Sequence, residues 1–121
     1  MPKVGRRVLI VAVLAVAGAL AVAGVVSAKS TVKLSASKSK LAFNVKTIRA
    51  NKGSVTLVMS NPSGLPHAIG VKGHGLNRKG KTVNKGGTSR VTVTLKTGTY
   101  TFYGPVDGHA AAGMKGKLIV S

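Results

Sequence analysis

Residues 98–120 read GTYTFYGPVDGHAAAGMKGKLIV, and this stretch decides the fold. Its first part alternates threonine with Tyr100 and Phe102, which predicts a strand, and residues 117–121 predict the last strand of the chain. The loop between these two strands carries His109 and Met114. An imidazole and a thioether are soft nitrogen and sulfur donors, so this loop has the chemistry of a metal site.

The rest of the chain after residue 28 repeats the same alternation of apolar and polar residues. Short alternating segments predict further strands at residues 41–48, 54–60, 67–72 and 89–95. Turn residues at 51–53 predict that the first two of these form a hairpin, and the five glycines of residues 73–88 predict a long loop. No segment shows a sustained helical period, so about seven short strands predict an all-β antiparallel sandwich or barrel with Greek-key connections.

Composition excludes several classes of function. The 121 residues include no cysteine, which rules out disulfides, a thiol nucleophile and a thiolate-held metal. Nineteen Lys and Arg stand against one acid, Asp107, for a net charge of +18. This charge predicts association with an acidic protein, an anionic envelope polymer or a membrane surface. Nucleic acid is a weaker prediction, because there is no dense basic arm and there are only two Phe and two Tyr to stack on bases.

The amino terminus has the pattern of an export signal. Residues 1–7 carry three basic residues, residues 8–26 are apolar or small, and Val26-Ser27-Ala28 resembles a cleavage site. We predict a signal peptide over residues 1–28, with an uncleaved anchor as the alternative. Either reading places the rest of the chain outside the cytoplasm. Residues 29–40 are predicted as a polar tether or an edge strand, and residues 41–121 as the domain.

Pairing of the predicted strands brings a second histidine toward the loop. His67 begins a predicted strand, and the ends of neighbouring strands meet at one edge of a sandwich. His67, His109 and Met114 would form a nitrogen and sulfur site suited to copper, because ions that prefer oxygen need carboxylates. Asp107 is the only carboxylate in the chain and is an additional candidate ligand, although an aspartate beside Gly108 also suits a turn.

At these residues the chain resembles the cupredoxins, the family of plastocyanin-like and azurin-like blue copper domains. The resemblance rests on NPSGLPHAIGV at residues 61–71 and on the loop at residues 98–120. In the family this loop reads Cys, four residues, His, four residues, Met. The resemblance implies a Greek-key β-sandwich that binds copper, with His67 and His109 as equatorial ligands and Met114 as the axial ligand. Gly104 occupies the position of the family's copper-binding cysteine.

Three functions follow from a cupredoxin-like chain without this thiolate. The first is copper handling by a secreted protein whose degenerate site binds copper weakly through two histidines and a methionine. Its partner would be an acidic redox or copper-handling protein. The second is a metal-free module, with an empty site, whose basic surface binds anionic polymers or membrane. A monomer is predicted for each of the three functions. The third is electron transfer with an exogenous ligand in place of the cysteine. An enzyme is not predicted, because a hydrolase triad needs an orienting acid and Asp107 lies too near His109 in sequence.

Overall fold

The computed structural model describes residues 29–121, so the predicted signal peptide lies outside the described residues. The described chain forms eight strands: β1 (Lys29–Ser35), β2 (Thr47–Ala50), β3 (Gly53–Ser60), β4 (Gly70–Gly73), β5 (Leu76–Lys79), β6 (Thr88–Leu95), β7 (Gly98–Tyr103) and β8 (Lys115–Val120). A three-stranded sheet has the order β1-β3-β6 and a five-stranded sheet the order β2-β8-β7-β4-β5. The prediction of an all-β sandwich is confirmed. Within residues 29–121 no helix is long and apolar enough to span a membrane.

Alternating burial along the strands builds the core between the two sheets. Every second residue of β6 is buried and the others are exposed, which is the period that a strand with one solvated face requires. The buried residues of β3 and β6 face those of β7 and β8, and together they include Val55, Leu57, Met59, Val91, Val93, Leu95, Tyr100, Phe102, Leu118 and Val120. Burial of each large apolar side chain contributes about 1.5–3 kcal/mol relative to exposure.

The hairpin predicted for residues 41–60 is wrong. Strand β2 pairs in parallel with β8, with Ile48 opposite Leu118, whereas β3 pairs in parallel with β1 and antiparallel with β6. The chain changes sheets between β2 and β3, where the Lys52 amide donates to the Ser121 carbonyl at 2.8 Å. Both sheets therefore are mixed, not purely antiparallel. Alternation identifies a strand but does not identify its partner.

The loop predicted for residues 73–88 contains a strand. Strand β5 forms a hairpin with β4 around His74 and Gly75, which have φ angles of 51° and 80°. Two successive residues with positive φ are typical of the tight turns that join hairpin strands. Because β5 lies at a sheet edge and is largely exposed, three of its four residues are polar. It therefore lacks the apolar alternation that predicts strands.

The start of the described chain is paired along its length. Strand β1 forms the edge of the three-stranded sheet and pairs with β3 from Lys29 to Ser35. The next residue, Ala36, makes an isolated antiparallel bridge with Phe43. The Phe43 ring packs on Phe102 with centroids 5.4 Å apart. Residues 29–35 therefore are part of the sandwich.

Close approach of the chain at Gly116 connects β8 with the loop before β2. A Cβ added at Gly116 would lie 2.5 Å from the Lys46 carbonyl oxygen and would also collide with the Phe102 ring. The neighbouring Lys117 amide donates to that same carbonyl at 2.9 Å. Neither the backbone nor the buried ring can withdraw without disturbing the core, so this position requires a residue without a side chain.

We expect Gly116→Ala to lower the free energy of unfolding by about 1–3 kcal/mol, because the added methyl group overpacks the core. Chemical denaturation of the purified protein measures this change. The matched control is Gly64→Ala, since a Cβ at Gly64 meets no atom within 4 Å among residues 29–121. Equal stabilities of the two variants would contradict the close approach at Gly116.

Candidate metal centre

The loop between β7 and β8 is closed by hydrogen bonds between its own backbone groups. At its base the Gly104 amide donates to the Met114 carbonyl at 2.9 Å, and the Met114 amide donates to the His109 carbonyl at 3.0 Å. Within the loop the His109 amide donates to the Val106 carbonyl at 3.0 Å. These bonds hold His109 and Met114 on a turn whose ends belong to adjacent antiparallel strands, and both side chains are buried.

His67 is held beside this loop by a separate segment. It exchanges two backbone hydrogen bonds with Val83, at 3.0 and 2.8 Å. Residues 61–66 precede it as a turn that is organised by the buried side chain of Asn61. The Asn61 amide nitrogen donates to the carbonyls of Leu65 and Val83 at 2.8 and 2.9 Å, and its oxygen accepts from the Ser63 amide at 2.9 Å.

Asn61 is therefore a positioning residue, a role that its place in the segment NPSGLPHAIGV did not predict. Its side chain joins the segment that carries His67 to the strand-like segment at Val83. The available sequence signal was the pair Asn61-Pro62 directly before the histidine segment. The partner carbonyl belongs to a distant part of the chain, so local sequence did not reveal this bond.

The two predicted histidines meet inside the protein. Their ring centroids are 4.9 Å apart with 58° between the ring planes. Both nitrogens of His67 and Nδ1 of His109 are buried and have no hydrogen-bond partner within residues 29–121. A buried polar atom without a partner costs about 1–3 kcal/mol and is rare in native proteins. An ion bound between the rings would supply the missing interaction.

Met114 and Gly104 adjoin the histidines. A Cβ built on Gly104 would lie 2.8 Å from the Met114 sulfur and 3.3 Å from Cβ of His109. The loop therefore brings the thioether of Met114 next to the side chain of His109. Both lie near the point where a side chain of residue 104 would begin. Two imidazoles and one thioether form a neutral donor set that fits a soft metal ion such as copper.

Asp107 and His74 lie apart from these three residues. Asp107 is exposed on the loop, and within residues 29–121 no group of three or more His, Asp or Glu side chains is arranged to hold a metal ion. His74 is exposed at the β4–β5 turn, where its ring packs on Tyr100 with centroids 4.8 Å apart. The donors that the structure groups are His67, His109 and Met114.

Comparison with known proteins agrees with this fold. A profile of the plastocyanin/azurin family of copper-binding proteins matches residues 30–121. The chain belongs to this family. The resemblance to cupredoxins predicted from the sequence is thereby confirmed, and it makes copper the metal expected for this fold.

Solved structures share the architecture of this cupredoxin. Auracyanin B superposes with a TM-score of 0.68 at 24% identity, over 79% of this chain and 91% of its own. Auracyanin A, a "blue" copper protein from Chloroflexus aurantiacus, superposes with a TM-score of 0.66 at 25% identity, over 78% of this chain and 100% of its own. The auracyanin of Roseiflexus castenholzii has a TM-score of 0.66 at 23% identity, over 75% of this chain and 96% of its own. No curated protein matches the sequence significantly.

Burial lowers the pKa of His67, and the nearby His109 lowers it further. The folded protein therefore favours the neutral imidazole of His67, which has a free lone pair and is the form that binds metals. In the unfolded chain this histidine takes up a proton near its ordinary pKa of 6.5. Below that pH the unfolded state binds more protons than the folded state, so stability falls as the pH decreases.

For the metal-free protein we expect the contribution of His67 to the free energy of unfolding to be constant above pH 6.5. Below that pH the contribution should decrease. Denaturation in the presence of a chelator, repeated across this pH range, measures the slope. His67→Leu replaces the imidazole with an apolar side chain of similar size and should flatten the curve. A His67→Leu curve as steep as that of the unmodified protein would contradict the assignment.

Proposed function

We propose that this cupredoxin binds copper through His67, His109 and Met114, and that it serves copper delivery or buffering. The observation that carries the proposal is the set of three buried, unpartnered imidazole nitrogens beside a buried thioether. A metal-free core would be more stable with apolar side chains at these positions. Ligation of a soft ion gives one nitrogen of each ring the partner that residues 29–121 do not supply.

The affinity of such a site is modest for two physical reasons. All three donors are neutral, so the site lacks the anionic ligand that a cysteine thiolate provides. The chain also carries a net charge of +18, which disfavours the approach of a further cation. Weak, reversible binding suits a protein that passes copper to a partner, and an acidic copper-handling or redox protein would complement the positive charge.

Copper in this site would be a bound ion without the thiolate bond that gives blue centres their colour and electron path. The residues of this chain bind the ion and exclude water, since His67 and Met114 are fully buried and His109 nearly so. Electron transfer with an exogenous ligand at Gly104 has less support. The Met114 sulfur already lies 2.8 Å from where a side-chain atom of residue 104 would begin.

The pattern of the amino terminus supports a cellular location for this function. We propose that residues 1–28 export the chain, as a cleaved signal or as an anchor, and that residues 29–121 act outside the cytoplasm as a monomer. The protein is proposed to be a binding protein and not an enzyme. The three donors form no arrangement of nucleophile, base and orienting acid, because the single acid, Asp107, is exposed.

We expect anaerobic titration with Cu(I), in competition with a chromogenic chelator, to show one binding site that His109→Ala removes. The truncation deletes an imidazole donor and leaves two ligands, which do not hold the ion against the competitor. His74→Ala is the matched control, because His74 is exposed at a separate turn. The proposal fails if the unmodified protein does not bind Cu(I), or if His109→Ala and His74→Ala bind Cu(I) equally well.

A second candidate function rests on the outer face of the five-stranded sheet. Five exposed basic residues on four strands point away from the core. We name this surface the basic face, and its residues are Arg49, Lys72, Lys79, Lys115 and Lys117. The register places Lys72 and Lys117 on either side of Thr101. The face has no acid, since Asp107 lies on the loop. Such a surface would bind an anionic envelope polymer or membrane without any metal.

If this second function operates, the protein should bind vesicles that contain anionic lipid and should be released as salt rises, because exposed charges are screened. The double variant Lys79→Gln with Lys117→Gln should weaken binding more than Lys38→Gln with Lys40→Gln, which removes the same charge outside the basic face. Co-sedimentation measures both. Equal loss in the two variants would show a response to net charge alone and would contradict a defined face.

A further inference from the structure

We propose that a cavity at the end of the sandwich opposite the candidate metal centre binds a small organic anion of the aromatic carboxylate class. The cavity has a volume of about 380 Å³, and its lining residues are His74, Leu76, Thr94, Leu95, Lys96 and Tyr100. Volumes of about 300–1,000 Å³ are typical of sites for small ligands. None of the lining residues is a candidate copper ligand, so the proposal does not depend on copper binding.

The cavity lies between the two sheets and far from the metal loop. Leu95 ends β6 in the three-stranded sheet, whereas Leu76 and Tyr100 belong to β5 and β7 in the five-stranded sheet. Lys96 lies before β7, and Gly104 follows its last residue. Because a strand advances about 3.3 Å per residue, the six residues of β7 separate the cavity from the metal loop by about 20 Å.

The inner wall of the cavity is apolar and fixed in position. Leu95 and Tyr100 are buried, and Leu76 is half-buried. The Tyr100 hydroxyl donates to the Lys96 carbonyl at 3.1 Å and accepts from the Lys96 amide at 3.2 Å, so the ring is held at both its backbone and its hydroxyl. Such a wall can pack against the apolar part of a small molecule and remove it from water.

His74 adds a second aromatic surface that the turn by itself does not require. Its φ of 51° lies in the left-handed region, which glycine adopts without steric cost and other residues adopt rarely. The imidazole packs on Tyr100 with centroids 4.8 Å apart, and its Nε2 donates to the Thr99 carbonyl at 3.2 Å. Residues in this conformation are concentrated at ligand sites. The ring is thus fixed beside the cavity at a conformational cost.

The charge at the mouth of the cavity is positive. Lys96 is exposed and is the lining residue that carries a full positive charge, and none of the lining residues is acidic. The single acid of the chain, Asp107, lies beyond the other end of β7. The net charge of +18 raises the local concentration of anions. A lysine at the mouth of a site therefore selects a negatively charged group.

An aromatic carboxylate matches both parts of this cavity. Its ring would pack against the leucines and between the surfaces of His74 and Tyr100, because offset and tilted contacts between aromatic rings are favourable. Its carboxylate would lie at the mouth beside the Lys96 ammonium. Inorganic phosphate would leave the apolar wall without a contact, and a neutral aromatic compound would leave the lysine without a partner.

The test is a titration of the ¹⁵N-labelled protein with benzoate, followed by NMR at constant ionic strength with a chelator present. Saturable shifts are expected at the amides of Leu76, Leu95, Lys96 and Tyr100, with a dissociation constant on the order of 1 mM because the ligand is small. Benzamide has the same shape without the charge and should bind about three- to fivefold more weakly.

Three variants assign the binding to this cavity. Lys96→Gln should weaken benzoate binding about three- to fivefold, since it removes the cation at the mouth. His74→Asn keeps a residue that tolerates the left-handed conformation and removes the ring, so binding should weaken about two- to tenfold. Lys85→Gln is the matched control, because Lys85 is exposed before the other end of β6, and it should leave the affinity unchanged.

Four results would each overturn the proposal. These are the absence of saturable shifts in the unmodified protein, equal affinities for benzoate and benzamide, equal weakening by Lys96→Gln and Lys85→Gln, and shifts centred on the loop of His109. Because no metal is present in this titration, its failure would leave the copper function standing. Failure of the Cu(I) titration would likewise leave this cavity unaffected.

Discussion

Two imidazoles buried without hydrogen-bond partners within residues 29–121 are the constraint on which the site depends. Each unpartnered nitrogen opposes folding by about 1–3 kcal/mol, so the surrounding structure must hold the rings in place against a tendency to turn outward. The backbone bonds of His67 with Val83 and those of the loop between Gly104 and Met114 do this. The apolar core between the sheets supplies the stability that makes such an arrangement sustainable.

The sandwich brings together donors from two separate segments of the chain. The ends of β7 and β8 lie side by side in the five-stranded sheet, which fixes the loop that carries His109 and Met114. His67 comes from the segment before β4, and β4 pairs with the other side of β7. Because β7 is the common neighbour, the geometry of the site depends on one strand and its two pairings. Asn61 then adjusts the approach of His67 through bonds to Leu65 and Val83.

Loss of a single ligand changes the chemistry of this cupredoxin without changing its scaffold. The chain keeps the strands and loop of a copper-binding family, but with Gly104 the anionic sulfur is gone and a neutral sulfur occupies the adjacent space. A thiolate combines copper binding with electron transfer in blue centres, and this chain has no cysteine to supply one. The net charge of +18 opposes the approach of a further cation.

By itself, the sequence determined the all-β class, the absence of a thiolate and the identity of the three candidate donors. These properties are local: burial alternates with period two along β6, and the spacing of Gly104, His109 and Met114 is read directly. Only the tertiary structure decided that β2 pairs with β8 instead of β3, that polar β5 forms an edge strand, and that Asn61 holds the segment at Val83. It also decided that the Met114 sulfur lies beside the position that a Cβ of residue 104 would occupy. Each of these features depends on contacts between residues that are distant in sequence. Local periodicity carries no information about such contacts.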